Sequence, residues 1–184
     1  HSQAAIVETY AAAGDQPYLT SAVTEIVVSD EAALTHTKIQ LESLKATHFG
    51  RTQVRQGRAS RFSSRVFHFG GAVVRNEVNP VLNGEGIDTT LFGLSVLAGT
   101  QHVDNHTTLD HAKPHSQSTE IYKGIYGDKS RGVFCGTIIV RQDAQKTNAI
   151  QSNNAILLSD EAEIDSKPQL TIYADDVKCT HGAT

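Results

Sequence analysis

Read for the spacing of its apolar and polar positions, the chain shows no sustained helical period. Short runs of β-branched and aromatic residues recur instead: "TEIVVS", "TKIQLES", "SRVFHFG", "AVVRNEVN", "GVFCGTIIV", "AILLS" and "QLTIYA". These predict strands, and the fold class they predict is all-β. Between them lie turns built on Gly, Asp, Asn or Ser: "SDEAA", "QGRAS", "FGGA", "NGEG", "YGDKSRG", "RQDA" and "LSDEA". Neighbouring turns fall about 12 to 18 residues apart.

That spacing fits a sandwich or a β-solenoid with two or three short strands per coil. Two features favour the solenoid. Asp-Gly does not occur and Asn-Gly occurs once, at Asn83-Gly84, so the recurring two-residue turns of an antiparallel meander are missing. Ala or Gly also follows the turns repeatedly, where stacked coils leave little room. The surfaces are rich in Thr, Gln, Asn and His, as wet outer faces of coils should be.

The 184 residues make one domain's worth of chain, long enough to bury about 70 % of its unfolded surface. We take residues 1–184 as a single core domain. The chain begins at His-Ser, contains no methionine, and stops at a strand-like segment, so it is expected to be a fragment of a longer protein. Two cysteines, no apolar run near membrane-spanning length and no leader predict a soluble protein of a reducing compartment. Sixteen basic and 20 acidic residues give a net charge of −4, so neither nucleic acid nor an anionic membrane is an expected partner.

Three constellations carry possible chemistry. The first is "HVDNHTTLDHAKPH", with His102, His106, His111 and His115 around Asp104 and Asp110. Pro114 and the Thr-Thr pair oppose a helix. On a strand His102, Asp104 and His106 share one face, and His111 and His115 could share another. Hydrogen bonding between coils is the ordinary use of such residues, and metal ligation the sharper one. Next, Arg51, Arg55, Arg58, Arg61 and Arg65 would form a basic stripe on a helix. Gly57, Ser60, Ser63 and Ser64 disfavour that helix, and on strands the five are a solvated surface. No phosphate loop, dinucleotide fingerprint or nucleophile elbow occurs.

The third is "DDVKCTHGAT" at the end of the chain. Cys135, in "GVFCGTIIV", is expected to be a buried small apolar side chain. Cys179 has a polar setting, and on a strand it points the same way as His181, about 6 to 7 Å along the chain. Thiolate and imidazole suit iron or zinc, but two ligands are half of what a structural zinc or an iron–sulfur cluster takes. On residues alone the pair is either half a site completed by another subunit or an ordinary strand end with a reduced thiol.

The blocks "HVDNHTTLDHAKPHSQSTEIYKGI", "RGVFCGTIIVRQDAQKTNAIQSNNAILLS" and "KPQLTIYADDVKCTHGAT", extended upstream by "FGGAVVRNEVNPVLNGEGIDTTLFGLSVLAG", closely resemble the core domain of the SufB/SufD family of iron–sulfur cluster assembly proteins. The similarity is greater to its SufD side; SufB-like chains typically carry a Glu-His-Glu run where this one has "DDVKCTHGAT". The resemblance implies a right-handed parallel β-helix and a non-enzymatic scaffold. It implies pairing with SufB through the ends of the β-helices. The SufC ATPase is implied as a further partner, docked through a C-terminal helical region that, like the N-terminal one, is missing from this chain. A transient iron–sulfur cluster is implied at the SufB–SufD interface, with His181 and Cys179 among its ligands and no role for Cys135. A cytoplasmic location is implied, or the plastid stroma in a photosynthetic eukaryote.

Two competing functions rest on the residues themselves. One is a β-helix carbohydrate-active enzyme using Asp104, Asp110, Asp175 or Asp176 with an arginine. The other is a structural homodimer formed through uncapped terminal strands.

Overall fold

The computed structural model describes residues 2–184, all strand and turn, with no helix among the described residues. Thirteen strands alternate between two sheets: β1 (Gln3–Ala11), β2 (Leu19–Val28), β3 (Ala33–Leu41), β4 (Thr47–Gln56), β5 (Arg61–His68), β6 (Val73–Leu82), β7 (Asp88–Leu97), β8 (His102–His111), β9 (Gln117–Tyr126), β10 (Arg131–Val140), β11 (Asn148–Leu157), β12 (Glu163–Ile172) and β13 (Lys178–Ala183). The odd strands form one sheet in the order β1-β3-β5-β7-β9-β11-β13, the even strands the other, β12-β10-β8-β6-β4-β2. Every pairing is parallel and in simple register, so each coil lies on its predecessor with a step between 26 residues (Thr47 to Val73) and 32 (Arg131 to Glu163). This is the β-solenoid favoured by the turns and, in its parallel strands, the β-helix that the resemblance implied. Its strands are longer than expected, with two per coil.

The turns show why the chain stacks. Glu31, Ala59, Gly86, His115 and Lys146 all adopt positive φ. Each donates its backbone N–H to a turn carbonyl of the next coil, those of Arg58, Glu85, Pro114, Gln145 and Asp176, at 2.7 to 3.3 Å. Small residues are needed beside these columns: a Cβ on Gly70 would lie 2.6 Å from the backbone nitrogen of Glu42.

Along each central strand, buried and accessible residues alternate. The inner faces of the two sheets meet in a core that includes Val54, Phe62, Leu91, Leu109, Phe134 and Ile138. Polar side chains enter the same interior, among them His68, Asn105 and Glu120. Gly93 is an inward position whose neighbour in register is Tyr122, and an added Cβ would fall onto that ring. Gly93→Ala should therefore cost about 1–3 kcal/mol through overpacking. Urea unfolding checks this, with an unchanged midpoint as the contrary result.

Candidate metal centre on the last strand

β13 hydrogen-bonds on one side only, to β11, with Cys179 opposite Ala149 and His181 opposite Gln151. Ala149 and Gln151 point inward and are buried, so Cys179 and His181 both lie on the interior-facing side of the terminal strand. Cys179 is half-buried and packs against the main core; burial pushes its thiol up from the ordinary value, opposed by a backbone hydrogen bond at Ala149. His181 is exposed.

Gln151 links this end to the interior. Its amide Nε2 donates to Glu120 Oε2 at 2.6 Å, while its own Oε1 has no hydrogen-bond partner. Glu120 is fully buried, and desolvation pushes its carboxyl up to about 7, against the opposing hydrogen bond from Gln151. An interior row thus runs Leu91, Glu120, Gln151, His181 in register across β7, β9, β11 and β13.

Among the described residues no three of His, Cys, Asp and Glu are placed to hold a metal ion. Cys179 and His181 thus share a face of β13 with no third such residue placed beside them among the described residues. Asp176 is engaged elsewhere: its carboxylate pairs with Lys146.

The histidine-rich stretch does not form one site. It is a strand, and His102, Asp104 and His106 do share its outer face. There His106 Nε2 lies 2.8 Å from Asp104 Oδ1, and Asp104 Oδ2 accepts from Arg75 at 2.7 Å. His111 points inward, its Nε2 2.9 Å from Ser118 Oγ; burial pulls its pKa down to about 4. His115 does not join it, because the strand ends at His111 and His115 occupies a left-handed turn position. Asp110 receives a two-pronged hydrogen bond from Arg141, at 2.8 and 2.6 Å. Of the carboxylates considered for glycoside chemistry, Asp104, Asp110 and Asp176 each hold an ion pair, with Arg75, Arg141 and Lys146.

The five arginines are all exposed, Arg51 and Arg55 on the even sheet, Arg61 and Arg65 on the odd sheet, and Arg58 in a turn. Cys135 requires a correction. It is half-exposed on the outer face of β10, beside His106 and Lys167, because the inward parity of that strand belongs to Phe134 and Gly136.

Sequence reasoning missed a buried polar cluster in the first coils. Glu42 accepts from His48 Nδ1 at 2.7 Å and Gln40 Nε2 at 3.0 Å. Burial pulls the Lys38 amine down to about 8, against the attraction of Glu8 and Glu42. His68 Nε2 lies 3.0 Å from Asn105 Oδ1, and burial drags its pKa to about 3. The signal was present in "HTKIQLE", where His36, Lys38, Gln40 and Glu42 recur with period two.

The fold defines the class: a two-sheet parallel β-solenoid whose last strand carries Cys179 and His181 on one face. The chain belongs to the SUF system FeS cluster assembly, SufBD core domain family, which it matches over residues 1–184. It is 37% identical over 183 residues to the iron-sulfur cluster assembly protein SufD of Escherichia coli, covering 100% of this chain and 43% of that protein. To the SufBD family protein slr0076 of Synechocystis it is 35% identical over 192 residues, 100% of this chain and 42% of that one. The chloroplastic protein ABCI7 of Arabidopsis thaliana is 35% identical over 167 residues, 90% of this chain and 35% of the relative. The chain therefore spans less than half the length of these relatives.

Proposed function

We propose that this chain is the β-solenoid core of a SufD-type scaffold, which pairs with a SufB subunit and presents His181 and Cys179 to a nascent iron–sulfur cluster at the shared interface. The cluster is cargo, built and passed on. The observation that carries this is the position of the pair: two donors suited to iron, on one face of β13, whose other edge is unpaired among the described residues. The donors fit half of a cluster site, since thiolate and imidazole both occur as cluster ligands and two more are needed. In this reading SufC, joined through helices outside residues 1–184, supplies ATP hydrolysis, and the chain itself catalyses no reaction. We place the machinery in the bacterial cytoplasm or the plastid stroma.

The test is a complex of the full-length protein with SufB and SufC, purified anaerobically. Iron and acid-labile sulfide should fall together by about tenfold or more in His181→Ala, with a smaller loss in Cys179→Ser and an unchanged subunit ratio. Unchanged iron and sulfide in an intact complex would assign the cluster chemistry wholly to SufB.

A further inference from the structure

The two outer faces of the solenoid differ in chemistry. On the even sheet charges of both signs are interleaved and paired: Arg75 bridges Glu77 at 3.0 Å and Asp104 at 2.7 Å, Arg51 reaches Glu77 at 3.7 Å, and Arg131 holds Asp165 and Glu163. Those charges are satisfied by one another, although the same face also exposes Val23, Val27 and Phe49.

The odd sheet is different. Its outward rows place Phe67 between Ile39 and Leu94, and Val96 beside Ile125. The Phe67 and Phe69 rings stack with centroids 6.2 Å apart. Leu41 is 48 % exposed, Phe69 39 %, Val96 38 % and Phe92 36 %. Neighbouring strands thus present one contiguous apolar area, where scattered single residues would need no explanation.

The charges on this face are almost all of one sign. Arg61, Arg65, Lys123 and Lys178 face outward from the odd strands; among the described residues of those strands Asp88 is the only outward carboxylate, and it lies opposite Arg61. Arg65 is in register with Phe92, and Lys123 with Leu94. Neither Arg65 nor Lys123 has an ion-pair partner among the described residues. Two cations therefore flank apolar ground, with the inner face already covered by the second sheet. Where the outer face of a parallel sheet is covered, the usual cover is a helix.

We propose that the outer face of the odd sheet docks an acidic amphipathic α-helix, its apolar stripe lying on Phe67, Phe92 and Val96 and its carboxylates meeting Arg65 and Lys123. The sign of the flanking charge selects this occupant: a basic helix would bring like charges together, and a second copy of the same face would oppose Arg65 and Lys123 to their own kind. The inference is independent of what His181 and Cys179 do, since it concerns a side of the stack and they lie at its end.

The probes are two synthetic peptides of about 18 residues with the same leucine stripe, one flanked by glutamates and one by lysines. Fluorescence anisotropy with the 184-residue chain should show the glutamate peptide binding at least tenfold tighter. The preference should invert in Arg65→Glu/Lys123→Glu, whose surface changes leave the circular dichroism and melting temperature as they are. Phe92→Ser should weaken both peptides at least tenfold. Equal affinity for the two peptides, or no binding of either, overturns the proposal. So does concentration-dependent dimerisation that Phe92→Ser abolishes while neither peptide binds, because the occupant would then be a second copy.

Discussion

Truncating Phe134 to alanine should cost the fold about 3–5 kcal/mol, among the largest penalties of any single side chain here. The ring is 2 % exposed and belongs to the main core. In register it lies between Asn105 and Ser166, two small polar side chains that cannot refill the space. Across the interior it packs on Tyr122 with centroids 5.0 Å apart. The parallel ladders on both sides fix the spacing of β8, β10 and β12, so the walls cannot close over a cavity as a helix pair might. Urea unfolding should show the midpoint falling with the slope unchanged, and Phe134→Leu should recover most of the loss. A cost below about 1 kcal/mol would mean that this interior relaxes around missing volume.

Glu120→Gln should act in the opposite direction, and only at the alkaline end. Burial raises the carboxyl from its ordinary 4.5 to about 7. Below pH 4.5 the group is protonated both folded and unfolded, and its burial is unpenalised. Between 4.5 and 7 the unfolded chain gives up the proton while the folded one keeps it, so stability falls as pH rises; above 7 the loss is complete, on the order of 3 kcal/mol. Glutamine cannot ionise and retains an oxygen for the Gln151 amide. The variant should therefore be more stable by about that amount at pH 8 and indistinguishable at pH 4. An equal gain at both values would point to packing and not ionisation. His68 titrates the other way: neutral in the fold with a pKa near 3, it withdraws stability as pH falls from 6.5. The variant's profile should keep that acid-side decline.

Which strands were legible follows from what they bury. β6 and β10 place Val74, Val78 and Leu82, or Phe134, Ile138 and Val140, in the interior, and their apolar runs stand out. β4 sends inward His48, Gly50, Thr52, Val54 and Gln56, and β8 sends Val103, Asn105, Thr107, Leu109 and His111. With polar residues on both faces, the period-two contrast that marks a strand is lost. Cys135 was misplaced for the converse reason: in "GVFCGTIIV" nearly every position is apolar or glycine, so the letters do not reveal which parity faces the core. The pair on β13 was legible as a same-face pair because parity within one strand needs no tertiary information. What lay behind it was not: the approach of Glu120 and Gln151 to His181 comes from register between coils about 30 residues apart in sequence.

The solitary pairing of β13 has a kinetic side. In a linear stack each rung is held by its neighbours, so opening begins at the ends and protection of the amides should fade toward them. β13 is a six-residue strand bonded, among the described residues, to β11 alone. Its amides should exchange sooner than those of the longer strands behind it, and under the proposed assignment of Cys179 and His181 a cluster would be taken up or surrendered by the opening of that one rung.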